Sequence, residues 1–186
     1  MTLKLGFLAS GNGSSAEAIV DAIVAGRLDA EARLLVSNKK GCAAFDWATG
    51  KGVATLAIPT ISDPEAADAA LADAMTDAGV ELIVMSGYLR RLGPKTLSRY
   101  ANRILNIHPG PLPQFGGEGM YGAGVHQAVI AAGVAESAIV IHAVDEEYDH
   151  GPEVERRAVP LQPGETAQTL EARVKGLEPA FFVETL

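Results

Sequence analysis

At 186 residues, 48% apolar and 20% charged, the chain has the composition of a soluble globular protein able to bury one sizeable core. A formal charge of -8 leaves no basic excess to neutralise nucleic-acid phosphates, which excludes a general nucleic-acid binder; Lys39-Lys40 and Arg90-Arg91 remain as local spots for one small anion. The single cysteine, Cys42, excludes an intrachain disulfide and a cysteine-built metal site, and no run approaches the roughly 18 apolar residues of a membrane span.

The N-terminus runs straight into an apolar strand, Leu3–Ala9, without the basic-then-apolar pattern of a secretion signal, so a cytoplasmic location is expected. Ser15–Ala25 reads as a helix with Ala18, Ile19, Ala22 and Ile23 at helical spacing. Ala30–Ser37 is a second strand, followed by a helix near Gly41–Lys51. Val53–Ile58 is a third strand and Pro64–Ala78 an Ala-rich helix. Leu82–Ser86 is short and apolar, as a buried parallel strand should be. A helix at Pro94–Tyr100 leads into a strand over 103–108, and a loop spans 109–124. A helix (Val125–Ala132), a strand (Ala138–Val144), an extended segment (Glu153–Pro160) and a last helix capped by Thr166 complete the chain. Strand and helix alternate throughout, which predicts a single doubly wound, Rossmann-like α/β domain with a mostly parallel sheet. Ligands of such a domain gather at the carboxyl ends of its strands.

The most informative of those ends is Asn106-Ile107-His108-Pro109. Residues two apart on a strand share a face, so the Asn106 amide and the His108 imidazole project together. Proline at 109, 111 and 113 forbids further pairing and places both groups beside a loop. An amide donor next to a proton-carrying group suits the stabilisation of an oxyanion. The first strand ends in Ser10-Gly11-Asn12-Gly13-Ser14-Ser15, directly before a helix. Its glycines permit a tight turn, and a helix N-terminus offers N–H groups to a phosphate. The Gly-Lys-Ser/Thr ending of a P-loop is missing, and as Gly-x-Gly-x-x-Ala the segment half resembles a dinucleotide fingerprint. An NADP-binding turn, with Lys39 and Lys40 at the second strand end, therefore stays open beside a phosphate loop and a turn without ligand.

The fourth strand runs into Ser86-Gly87-Tyr88-Leu89-Arg90-Arg91-Leu92, where the arginines offer anion contacts or begin a solvated helix, the reading favoured for Arg91. The late strand ends in an acidic turn with Asp145, Glu146, Glu147 and Asp149, followed by His150. Proton chemistry beside His108 needs an acid that can approach it, and spacing alone does not choose among the four. His142, inside an apolar strand, reads as a satisfied core histidine. With His126 and His150 it has no metal-ligand spacing, so no metal site is expected.

From Leu3 to about Phe182 the chain resembles the glycinamide ribonucleotide (phosphoribosylglycinamide) formyltransferases, a folate-dependent family with a Rossmann-like formyltransferase fold. The resemblance rests on Ser10-Gly11-Asn12-Gly13-Ser14, Gly87-Tyr88-Leu89-Arg90, Asn106-Ile107-His108-Pro109, Leu112-Pro113 and Asp149-His150-Gly151-Pro152. It implies formyl transfer from 10-formyltetrahydrofolate, the co-substrate, to the amine of glycinamide ribonucleotide in purine synthesis. It further implies a catalytic trio of Asn106, His108 and Asp149, and it is the resemblance that singles out Asp149. Gly11, Asn12, Gly13, Ser14 and Ser15 would hold the ribonucleotide phosphate, and Lys175 and Glu178 would contact phosphate and ribose. Leu89, Arg90, Leu92, Val144 and Asp145 would line the folate. On this basis 1–100 is a phosphate-binding βαβ half and 101–186 the catalytic and folate-binding half, with small-molecule substrates as partners, neither nucleic acid nor membrane, and a homodimer left open.

Departures from the family pattern are specific. Ser15 replaces a common asparagine, Pro179 a common histidine after Glu178, and Arg91 an apolar neighbour of the folate. The stretch 115–122 is a glycine-rich variant expected to order with substrate, followed by a featureless Ala123-Gly124. The chain ends at Leu186, short of the family's usual C-terminal extension. Three other readings stand beside this transferase: a formyltransferase with another amine acceptor, a hydrolase removing formyl from the folate, which would share the trio, and an NADP- or nucleotide-binding module.

Overall fold

Residues 2–186, the residues described in this computed structural model, form seven strands and six helices that alternate up to β6, which β7 follows directly. In chain order they are β1 (Leu3–Leu8), α1 (Ser14–Val24), β2 (Ala30–Ser37), α2 (Ala44–Gly50), β3 (Ala54–Ala57), α3 (Pro64–Asp77) and β4 (Leu82–Met85). There follow α4 (Pro94–Arg99), β5 (Ile104–His108), α5 (Ala123–Ala131), β6 (Glu136–Ala143), β7 (Glu153–Pro160) and α6 (Ala167–Thr185). The strands form one seven-stranded sheet in the order β3-β2-β1-β4-β5-β6-β7, flanked by helices. The pairs β1–β2, β1–β4 and β2–β3 are parallel, and β6–β7 is antiparallel. Backbone proximity groups the chain into two compact units, Met1–Leu105 and Asn106–Leu186.

In the first unit the central strands are apolar on both faces, with Leu5, Phe7, Leu8, Leu35, Val36, Ile83 and Val84 all buried. Such strands fit only a parallel sheet covered by helices. Asp63 caps α3 by accepting from the Ala66 N–H at 2.9 Å, with Pro64 preset in the first turn. Buried Asp68 in turn caps α4, accepting from the N–H groups of Lys95 at 2.8 Å and Thr96 at 3.0 Å and from the Thr96 hydroxyl at 2.6 Å. A carboxylate buried this way has its lone pairs filled by donors that the helix end would otherwise leave unpaired.

The second unit carries the β6–β7 ladder and α6. Thr166 caps α6 in a reciprocal box with Thr169, as its position in the sequence implied. Several boundaries differ from expectation: β6 begins at Glu136 rather than Ala138, β3 is trimmed to Ala54–Ala57, and the loop after His108 ends at Gly122, so Ala123 and Gly124 belong to α5. Gly122 has φ +56°, and this left-handed residue redirects the chain so that the helix begins two residues early.

Candidate active site

Asn106 and His108 lie at the carboxyl end of β5, as the strand period requires, with His108 only 3% exposed. The His108 ring is held at both nitrogens. Its Nε2 lies 2.7 Å from the Phe115 carbonyl, and its Nδ1 lies 3.4 Å from Asp149 Oδ2. A carbonyl only accepts, so the Nε2 facing Phe115 is the nitrogen that donates.

Asp149 comes from the turn between β6 and β7, and its carboxylate faces His108. Its backbone sits at φ +54°, a left-handed conformation that Asp tolerates better than most residues. The turn closes tightly at Gly151, where a Cβ would lie 1.8 Å from the Ala143 carbonyl oxygen. Ala143 N–H also donates to the Pro152 carbonyl at 2.8 Å, fastening the turn to the end of β6. The Asp149 Oδ2 accepts from the Gly117 N–H at 3.0 Å, which ties the glycine-rich loop to the same carboxylate. Partial burial alone would raise the Asp149 pKa. The two imidazoles facing it, His108 and His142, and the Gly117 N–H overrule that and hold the carboxyl well below the usual carboxylate range.

His142 is the residue the sequence did not identify. It is buried, as a core histidine would be, but its partners belong to the site. Its Nδ1 lies 3.1 Å from the Ala143 carbonyl and must carry a proton. Its Nε2 lies 3.2 Å from the Asn106 amide nitrogen and 3.4 Å from Asp149 Oδ1. One carboxylate thus faces two imidazoles, and the second imidazole touches the Asn106 amide.

On α6, Glu178 is half-buried, and burial pushes its carboxyl up to about 7 against the pull of Lys175 and His108. Lys175 is exposed and paired with Glu171 at 2.5 Å. His126 on α5 is buried with its Nδ1 unpartnered, and burial lowers its pKa. His150 is exposed and pairs with Asp145 at 2.9 Å rather than with any trio residue. Val144 and Asp145 lie half-exposed in the turn just after β6. No group of three or more His, Cys, Asp or Glu that could hold a metal ion occurs among the described residues.

In the first unit, the glycine loop connects β1 to α1. Gly13, at φ +63°, is the left-handed cap from which α1 starts. Ala16 N–H donates to Ser86 Oγ at 3.1 Å and Glu17 N–H to the Gly13 carbonyl at 2.9 Å. The first-turn donors left for an anion are those of Ser14 and Ser15. Gly11, Asn12 and Ser14 are exposed, whereas the Ser15 side chain is buried on the inner face of α1. Ser10 knits neighbouring strand ends together, donating to Asn38 Oδ1 at 2.6 Å and accepting from the Leu89 N–H at 2.9 Å. Leu89 is 64% exposed and Arg90 is exposed, while Leu92 is buried. Arg91 is exposed in the irregular segment before α4 and not on a helix.

Residues 3–186 match a protein-family model described as Formyl transferase. The chain is 36% identical over 185 residues to the chloroplastic phosphoribosylglycinamide formyltransferase of Vigna unguiculata, an alignment covering 98% of this chain and 59% of that protein. It is 34% identical over 181 residues to the phosphoribosylglycinamide formyltransferase of Bacillus subtilis, covering 96% of this chain and 90% of the relative. The crystal structure of glycinamide ribonucleotide transformylase 1 from Geobacillus kaustophilus superposes with a TM-score of 0.90 at 33% identity, over 100% of this chain and 97% of that one. The chain therefore spans about three-fifths of the plant relative's length and nearly all of the bacterial ones. A match running almost from end to end, on a sheet of this order, leaves no segment outside the family pattern: the chain belongs to the formyl transferase family.

Proposed function

We propose that the chain transfers the formyl group of 10-formyltetrahydrofolate to the amine of glycinamide ribonucleotide, a step of purine synthesis. The observation that carries this reading is the convergence of His108 and His142 on Asp149, with the Asn106 amide against His142. Relatives named for this activity, similar over nearly the whole chain, support it.

The chemistry follows from the groups present. The amine attacks the formyl carbon, a C–N bond forms, and the carbonyl electron pair moves onto oxygen. Asn106 is the direct donor to that oxyanion, and the charge of His108 stabilises it further. Loss of one such donor typically costs about 2.7–4 kcal/mol of barrier. Collapse restores the carbonyl and breaks the bond to N10 of the folate. The proton shed by the amine equals the one N10 gains, so only a relay is needed. Asp149, with water, is the relay.

His142 controls how Asn106 donates. A neutral His142, protonated on Nδ1, accepts an Asn106 N–H at Nε2. A charged His142 donates from Nε2 instead, so the amide turns its oxygen to the ring and releases both N–H groups to the substrate. Within the first unit, the N–H groups of Gly11, Asn12, Gly13, Ser14 and Ser15 are the phosphate donors; within the second, Lys175 is a cation and Glu178 an acceptor suited to ribose hydroxyls. The folate-lining candidates are Leu89, Arg90 and Leu92 in the first unit and Val144 and Asp145 in the second.

The test is an absorbance assay of tetrahydrofolate release from 10-formyltetrahydrofolate, with and without glycinamide ribonucleotide. Release only in the presence of the amine is expected. Release without it would replace the transferase with a hydrolase, and no release in either case would remove the reading.

A further inference from the structure

Three donors from the segment 42–47 hold the carbonyls of the glycine loop from one side. Gly11 O accepts from the Ala44 N–H at 3.1 Å and from the Cys42 thiol at 3.0 Å. Asn12 O accepts from the Trp47 indole N–H at 2.7 Å, the shortest of the three. In a trans peptide the C=O of one residue and the N–H of the next point in opposite directions. Anchoring the Gly11 carbonyl therefore aims the Asn12 N–H away from α2, and anchoring the Asn12 carbonyl does the same for the Gly13 N–H. The indole also packs on the loop: a Cβ built on Gly13 would lie 3.6 Å from its Cζ2. The ring is held in turn by Lys51, whose ammonium lies 5.5 Å from its centroid and pairs with Glu17 at 2.8 Å and Asp21 at 2.7 Å on α1.

We infer that Trp47 is a positioning residue for anion binding: its indole N–H fixes the 12–13 peptide so that the loop's N–H groups face the phosphate. It touches no substrate itself. The inference rests on the phosphate-loop part of the proposed function and adds to it the residue that sets the loop's peptide planes. Because Trp47 is the chain's one tryptophan, its emission reports the loop directly.

The experiment uses the full chain and two probes, glycinamide ribonucleotide and inorganic phosphate. Emission of the wild-type protein is followed through both titrations, and binding to wild type and Trp47→Phe is compared by calorimetry. A saturable emission change is expected with each probe. Trp47→Phe keeps an aromatic ring, though a smaller one, and loses the N–H donor, so both probes should bind about three- to tenfold more weakly, one hydrogen bond's worth. KM for the amine should rise by the same factor while KM for the folate holds. Equal affinities in the two proteins, a fall in kcat without a rise in that KM, or silent emission while calorimetry records phosphate binding would each overturn the inference. Should Trp47→Phe not fold, the wild-type emission titration decides alone. A wild-type protein that binds neither probe would instead defeat the phosphate loop itself, and the inference with it.

Discussion

Glu178 offers a quantitative test of the electrostatics of the second unit. Burial pushes its carboxyl to about 7 from an ordinary 4.5. At 1.36 kcal/mol per pH unit, that difference amounts to about 3 kcal/mol of penalty on the charged form, and solvent reaching the half-buried side chain trims it to about 2–3 kcal/mol. Between those two pH values the folded protein holds a proton that the unfolded chain has already lost. Stability must therefore fall as pH rises through that window, the reverse of the usual salt-bridged carboxylate.

Glu178→Gln keeps the shape and removes the titration. Relative to wild type, the variant should show a fixed offset near about pH 4 and gain about 2–3 kcal/mol on going to about pH 8. For a chain of this size that corresponds to roughly 4–12 °C in Tm. Urea unfolding at several pH values, followed by far-ultraviolet circular dichroism, reads the difference directly, and groups common to both proteins cancel. Wild-type and variant curves that run parallel across the whole range would refute the argument.

Three further outcomes are expected. Asp149→Asn should lower kcat by about 10²–10³ while calorimetric binding of both substrates holds, because the proposed proton relay loses its carboxylate; unchanged turnover would remove Asp149 from the mechanism. His142→Phe should lower kcat at least about tenfold, since Asn106 loses the ring that turns its amide; a wild-type rate would leave His142 a packing residue. Gly151→Ala should cost about 3 kcal/mol or more, because the new methyl collides with the Ala143 carbonyl 1.8 Å away and the turn carrying Asp149 must open. A thermal melt superposable on wild type would contradict the close approach.

The sheet was legible in the sequence because its strands are short apolar runs punctuated by glycine and proline, and β2 and β7 begin and end where the pattern places them. Asn106 and His108 were legible for the same reason, since a period of two and a proline stop are local facts. His142 was not. It lies in a strand whose other residues are almost all buried, and only the adjacency of β5 and β6 in the sheet turns a core histidine into a neighbour of Asn106. Nor could spacing choose Asp149 from the acidic turn. That choice follows from a left-handed residue and a glycine packed on Ala143, which send one carboxylate inward while Asp145 pairs outward with His150. Glu178 was readable as a residue but not as a perturbed acid, because its burial comes from tertiary packing.

The direction of the Asp149 shift constrains how the proton moves. A general base works best with a pKa near the operating pH, and Asp149 is held far below it. In the proposed reaction it is accordingly a relay only, and not the group whose titration shapes a rate profile near neutrality. Glu178, at about 7, can be. A break near neutral pH in kcat/KM for the amine should therefore disappear or move in Glu178→Gln, since the wild-type carboxylate gains charge beside Lys175 and His108 across that range. The same break in Asp149→Asn should stay where it is, on a much lower rate. If instead the break survives in Glu178→Gln and vanishes in Asp149→Asn, then Asp149 stores the proton, and the two imidazoles facing it do not hold its carboxyl down.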